Sequence, residues 1–149
     1  MELTDKINRL IECKGTEVWS IQPDALVYQA LETMAQRNVG ALPVMLEGKL
    51  LGIISERDYA RKLILHGKSS RETYVREVMS SPVTTVTPEH RVDECMQIMT
   101  TRHLRHLPVV SQDQLLGIIS IGDLVNWIIS AQAATIQHLE SYIAGNYPA

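Results

Sequence analysis

The chain has 149 residues, 45% of them hydrophobic and 21% charged, a composition that folds; with no Phe and 5% aromatics, its core must be aliphatic. A net charge of −3 excludes the overall positive field that holds a protein on a nucleic-acid backbone. No run approaches the roughly 18 apolar residues of a spanning helix, and the start Met1-Glu2-Leu3-Thr4-Asp5 lacks a signal-peptide pattern, so a cytoplasmic protein without a membrane partner is expected.

The chain opens on a helical segment, Thr4–Cys13, after which it matches itself at a constant offset of 65 residues, Val18–Ala60 onto Val83–Val125. Identical pairs include Pro23/Pro88, Met34/Met99, Leu42/Leu107, Pro43/Pro108, Val44/Val109 and the whole run Leu50–Ser55 on Leu115–Ser120, ending at Asp58/Asp123. Each copy starts with a short extended segment (Val18–Ile21; Val83–Val86) and a Pro-acid pair (Pro23-Asp24; Pro88-Glu89) that suits a first helical turn. Val27, Ala30, Leu31 and Met34, and Val92, Cys95, Met96 and Met99, then recur at i, i+3, i+4, i+7, one face of a helix. Two β-rich runs form a hairpin in each copy, Leu42–Leu46 with Leu50–Ser55 and Leu107–Val110 with Leu115–Ser120. A second helix follows, through Tyr59, Leu63 and Ile64 in one copy and Leu124, Val125, Ile128 and Ile129 in the other, with a C-terminal extension over Ile128–Ile143. The expected fold is α+β: two β-α-β-β-α repeats packed around a pseudo-twofold axis, with flanking helices, divided into residues 1–73 and 74–149.

The repeat's chemistry concentrates in Gly-Ile-Ile-Ser-x-x-Asp, at Gly52–Asp58 and Gly117–Asp123, where a strand gives way to a helix. Glycine lets a ligand approach the backbone, Ser offers a hydroxyl, N–H groups at the helix start favour phosphate, and Asp presents a bidentate acceptor for vicinal ribose hydroxyls. A purely local reading also stands: Ser as N-cap with an acid at N3 is a capping arrangement. Cys13 and Cys95 form no Cys-x-x-Cys pair, and His66, His90 and His138 lack ligand spacing, so neither a disulfide framework nor a metal site is expected.

The tandem unit, with Leu-Pro-Val (Leu42-Pro43-Val44; Leu107-Pro108-Val109) followed by the doubled motif, resembles a pair of cystathionine-beta-synthase (CBS) domains, the Bateman module, over about residues 15–130. The resemblance implies a regulatory module that needs no cofactor but binds an adenine nucleotide, AMP foremost, with ADP, ATP, NAD(H) or S-adenosylmethionine as others, in two clefts between the units. Carried over residue by residue, it implies that Asp58 and Asp123 bind ribose hydroxyls and that Ser55 and Ser120 sit near ribose or phosphate. Ser20 with Ile21, Thr85 with Val86, and the backbone around Ile53 and Ile118 would frame base and phosphate. It also places the residues before Leu-Pro of one unit in the cleft of the other unit's Asp. Since these are Arg105-His106 in the second copy but Gly40-Ala41 in the first, the Asp58 cleft, with Arg57 adjacent, is expected to be the basic one. The Asp123 cleft, beside Gly122, is expected to be less charged.

Between Arg57 and Arg76 the local charge balance is +4, the pattern of an anion site or of a solvated helix face. With no nucleophile elbow, no P-loop and no paired Cys/His nucleophile, the chain reads as a non-enzyme. The two repeats use up the chain, so regulation is expected to act in trans on a protein target; the alternative is a structural adaptor without ligand sensing. The apolar residues around Trp127, and Ile136, Leu139, Tyr142 and Ile143, exceed what two small units hide and point to a homodimer, with a longer core helix as the alternative place for Trp127.

Overall fold

The computed structural model describes residues 1–15 and 17–145. In chain order the elements are α1 (Ile7–Lys14), α2 (Val27–Arg37), β1 (Ala41–Leu46), β2 (Lys49–Ser55), the single turn α3 (Glu56–Asp58), a π-helical turn Tyr59–Leu63, a 3-10 turn Ile64–His66, and α4 (Val75–Val78). The second half comprises α5 (Val92–Arg102), β3 (His106–Ser111), β4 (Gln114–Ser120) and α6 (Ile121–Ile143). The fold is α+β, with two two-stranded sheets, β1-β2 and β3-β4.

The repeat shows in the details of each element. Helices α2 and α5 both end in a left-handed residue, Asn38 and His103, at the same repeat position. Both hairpins turn through two residues of positive φ, Glu47-Gly48 and Gln112-Asp113, the geometry that keeps the flanking strands twisted together. The Pro-acid pairs differ from expectation. Leu26 and Arg91 are extended N-caps, so the helices start at Val27 and Val92, and Pro23-Asp24 and Pro88-Glu89 lie in the turn before them.

The described residues fall into two compact bodies, one of residues 17–85 and 108–118, the other of residues 1–15, 86–107 and 119–145. In the first body, Val27, Ala30 and Met34 of α2 pack with Leu42, Val44, Ile54, Leu63, Val75 and Val78 in a wholly aliphatic core. Each Val, Leu, Ile or Met side chain among them gains about 1.5–3 kcal/mol by leaving water. Helix α4 closes this body: Val75 N–H donates to Ala25 O (2.8 Å), Arg76 N–H to Pro23 O (3.0 Å) and Val27 N–H to Thr73 O (2.9 Å).

The second body repeats that closure with a different segment. Here α1 does what α4 does: Ile7 N–H donates to His90 O (2.8 Å), Asn8 N–H to Pro88 O (3.1 Å) and Val92 N–H to Asp5 O (2.9 Å). Ile7, Leu10, Val92, Cys95, Met99, Leu124 and Trp127 are buried. The expected division at residue 73 separates the repeats along the chain, but the helix preceding the first repeat completes the body of the second. The helix preceding the second repeat completes the body of the first.

Trp127 is 6% exposed, and its indole N–H donates to Glu2 O (3.1 Å), so it is a core residue of a long helix and not an interface anchor. The second helices of the repeats also part company: α6 runs 23 residues, whereas the segment after Ser55 changes from α to π to 3-10 winding and stops at the left-handed Gly67.

Candidate functional site

Both Ser-x-x-Asp motifs fold as reciprocal caps. Ser55 N–H donates to Asp58 Oδ2 (2.9 Å), and Asp58 N–H donates to Ser55 Oγ (3.2 Å). Ser120 N–H likewise donates to Asp123 Oδ2 (2.8 Å), and Asp123 N–H to Ser120 Oγ (3.1 Å). The capping arrangement is therefore real in both copies, and it holds each carboxylate at the end of the strand that precedes it.

What surrounds each carboxylate differs. In the first body Lys62, one turn beyond Asp58, brings Nζ to 3.0 Å from Asp58 Oδ1 and donates also to Val78 O (3.1 Å) and Ser80 Oγ (3.1 Å). Ser80 is positioned by backbone pairing in both directions with Ile53 (2.9 and 3.1 Å), and its hydroxyl lies 3.4 Å from Asp58 Oδ1. This close approach requires Gly52: a Cβ there would sit 2.7 Å from Met79 Sδ and 2.9 Å from Ser80 O. The Asp58 side chain is left 12% exposed.

In the second body the partner comes from α1. Lys14, its last residue, places Nζ 2.6 Å from Asp123 Oδ2, and the Asp123 side chain is 26% exposed. A cavity of about 290 Å³ lined by Leu10, Cys13, Lys14, Asp123, Asn126 and Trp127 opens beside the pair. His106 is half-buried close by, and its pKa is held below the ordinary 6.5, by burial first and by the charge of Lys14 next, with Asp123 pulling the other way and Arg105 adding to the depression.

Arg105 O accepts the N–H of Ile121 (2.8 Å), as Gly40 O accepts that of Glu56 (3.1 Å), so the residues before each Leu-Pro abut their own repeat's motif, and His106 feels Asp123. Asp123 is accordingly the carboxylate that pairs with Lys14 and is felt by His106.

The remaining candidates distribute as follows. Arg57 is half-buried on the first turn after Ser55; Ser20, Thr85, Arg105 and Gly122 are exposed; Val86 is buried at 1%. Ile21 pairs by its backbone with Pro43 and Met45 along β1. Ile53, half-buried, has its N–H and C=O both engaged by Ser80, while Ile118 is half-buried in β4. Sequence reading missed Lys62, Ser80 and Lys14. The i, i+4 spacing of Asp58 and Lys62 was a usable signal. Ser80 and Lys14 had none, because their pairing with a carboxylate 22 and 109 residues away is set by which segment closes which body.

The CBS-domain model matches residues 14–65 and 75–130. The chain belongs to the CBS-domain family. It is 42% identical over 138 residues to the mitochondrial CBS domain-containing protein CBSX3 of Arabidopsis thaliana, an alignment covering 89% of this chain and 66% of that protein. The crystal structure of the CBS-domain containing protein ATU1752 from Agrobacterium tumefaciens superposes with a TM-score of 0.78 at 33% identity, covering 82% of this chain and 98% of that one. A hexameric CBS-CP12 protein from bloom-forming cyanobacteria follows at a TM-score of 0.74 and 25% identity, covering 84% and 72%. CBS domain pairs are in general regulatory modules that bind adenosine ligands. Among the described residues, no helix is long and apolar enough to cross a membrane.

Proposed function

We propose that this CBS pair is an adenine-nucleotide sensor, with AMP its foremost ligand, acting as a homodimer on a protein target in trans. The observation that carries the reading is the company of Asp123. A partly open carboxylate suited to two ribose hydroxyls is paired with the ammonium of Lys14, a cation that suits a phosphate, and acts on the neighbouring His106 imidazole. Asp58, more enclosed by Lys62 and Ser80, is the tighter and secondary site. Ser55 and Ser120 then act through the carboxylates they orient, and Arg57 offers a further cation at the Asp58 motif.

Calorimetric titration with AMP tests the assignment. Asp123→Ala should weaken AMP roughly 10- to 150-fold, the loss of about 1.5–3 kcal/mol from charge-assisted hydrogen bonds, and Asp58→Ala should weaken it less. Unchanged AMP affinity in Asp123→Ala overturns the site.

The adaptor reading has its own support in the capping role of both carboxylates, which accounts for the doubled motif without a ligand. It requires a flat melting temperature across AMP, ADP, ATP, NAD, NADH and S-adenosylmethionine at millimolar concentration. The sensor instead requires at least one to raise it, by linkage of binding to folding.

A further inference from the structure

We propose that α6 pairs antiparallel with α6 of a second copy as a short coiled coil whose register is set by Gln132. The inference rests on the homodimer named above and supplies its geometry. The outer half of α6, on which it depends, lies beyond residue 130, outside the residues that the CBS-domain model matches, so this surface is a property of the chain and not of the domain.

Val125, Ile129, Gln132, Ile136, Leu139 and Ile143 follow one another at intervals of four, three, four, three and four residues. That is the 3.5-residue seam of a coiled coil, which keeps facing a partner helix along its whole length. Its five apolar members are 40–84% exposed, and the sixth, Gln132, is exposed too. A single polar residue in such a seam is how paired helices fix their register. The seam calls for a helix of the same spacing, and this chain carries one. Nothing in it repels a copy of itself: from Leu124 to Ile143 the only groups charged or titrating near neutral pH are His138 and Glu140, and both stand off the seam.

Two features select the antiparallel arrangement. The first half of α6 is rooted in its body by Leu124, Trp127 and Ala131, whereas from Gln132 to Ile143 every residue but Ser141 is exposed. Parallel pairing would set two projecting halves against each other as a stalk of under two heptads, too short to hold in water. Antiparallel pairing lays each projecting half along the rooted half of the other copy. The second feature is register. With Val125 opposite the partner's Ile143, Ile129 falls opposite the partner's Leu139 and Gln132 opposite the partner's Ile136, so no seam residue is left over. The two glutamines then stand in adjacent layers, about one turn apart, where their amides meet across the twofold axis. A cavity of about 480 Å³ lined by Leu3, Ala131, Gln132 and Ile136 opens at this central level and gives the partner's side chains room to pack.

Disulfide cross-linking in a Cys13→Ser background tests the pairing, since Cys95 is buried. A mixture of Ile129→Cys and Leu139→Cys chains should give a disulfide-linked heterodimer. Neither variant alone should link, because each position lies about 15 Å along the axis from its own copy, beyond the roughly 7 Å that a disulfide spans between Cα atoms. Self-linking of each variant alone means parallel helices and overturns the proposal. A dimer that survives Leu139→Asp places the interface elsewhere and overturns it as well; both results leave the homodimer standing. Gln132→Leu should tighten the dimer roughly tenfold or more and let Ile129→Cys begin to link to itself, because the amide that fixes register at a cost in stability is gone. Unchanged affinity with unchanged cross-links overturns the role of Gln132. A wild type that is monomeric at tens of micromolar by light scattering removes the homodimer and the paired helices together.

Discussion

His106 links the Asp123 cluster to pH. Burial, then the charge of Lys14, holds its folded pKa below 6.5, so as pH falls through 6.5 the unfolded chain takes up a proton that the folded chain refuses. Stability is therefore full above the ordinary value and declines below it, by no more than about 1.4 kcal/mol per pH unit for one group. Urea titrations between about pH 5 and 7.5 should show this decline, and His106→Gln should flatten it. An unaltered slope in His106→Gln would place the proton uptake elsewhere. The Ser-x-x-Asp caps were legible at this scale because a cap involves residues three apart; the charges around each carboxylate were not, because they arrive from distant segments.

Helix α6 wears two apolar faces. Leu124, Trp127 and Ala131 point inward, while Val125, Ile129, Ile136, Leu139 and Ile143 are 40–84% exposed at spacings of four, seven, three and four residues, with the polar Gln132 in the seven-residue gap. Beyond Ala131 nearly every residue is exposed, and a protruding helix of that length is marginal by itself in water. This outward stripe, not Trp127, is the surface that the proposed homodimer would cover. Ile136→Asp should convert the dimer to a monomer at tens of micromolar by light scattering while leaving the circular-dichroism spectrum intact; a wild type that is already monomeric removes the homodimer from the proposal. The sequence periodicity announced an apolar helix here, but apolarity alone could not say which face turned inward.

At the scale of the whole molecule, α1 completes the second body. Its Ile7 and Leu10 are buried, and its leading segment bonds to Pro88, His90 and Val92 and to the Trp127 indole. Deleting residues 1–14 should therefore raise amide hydrogen exchange in α5 and α6 and leave α2, which is closed by α4, at its original rate. Equal acceleration in all three helices would mean that α1 supports the chain without regard to body.

The amino-acid sequence by itself determined whatever is local or repeated: the 65-residue duplication, the helical faces from Val27 and Val92, the two hairpins, and the caps at Asp58 and Asp123. These follow from spacings of a few residues or from likeness between two copies. The tertiary structure alone decided that each body borrows its closing helix from ahead of the other repeat, and hence that Ser80 meets Asp58 and Lys14 meets Asp123. The physical reason is that α1 and α4 are both short segments held by the same kind of backbone bonds. Their pairing with α2 or α5 depends on backbone hydrogen bonds to Pro23 and Pro88 turns that look alike in sequence, so only the folded chain tells them apart.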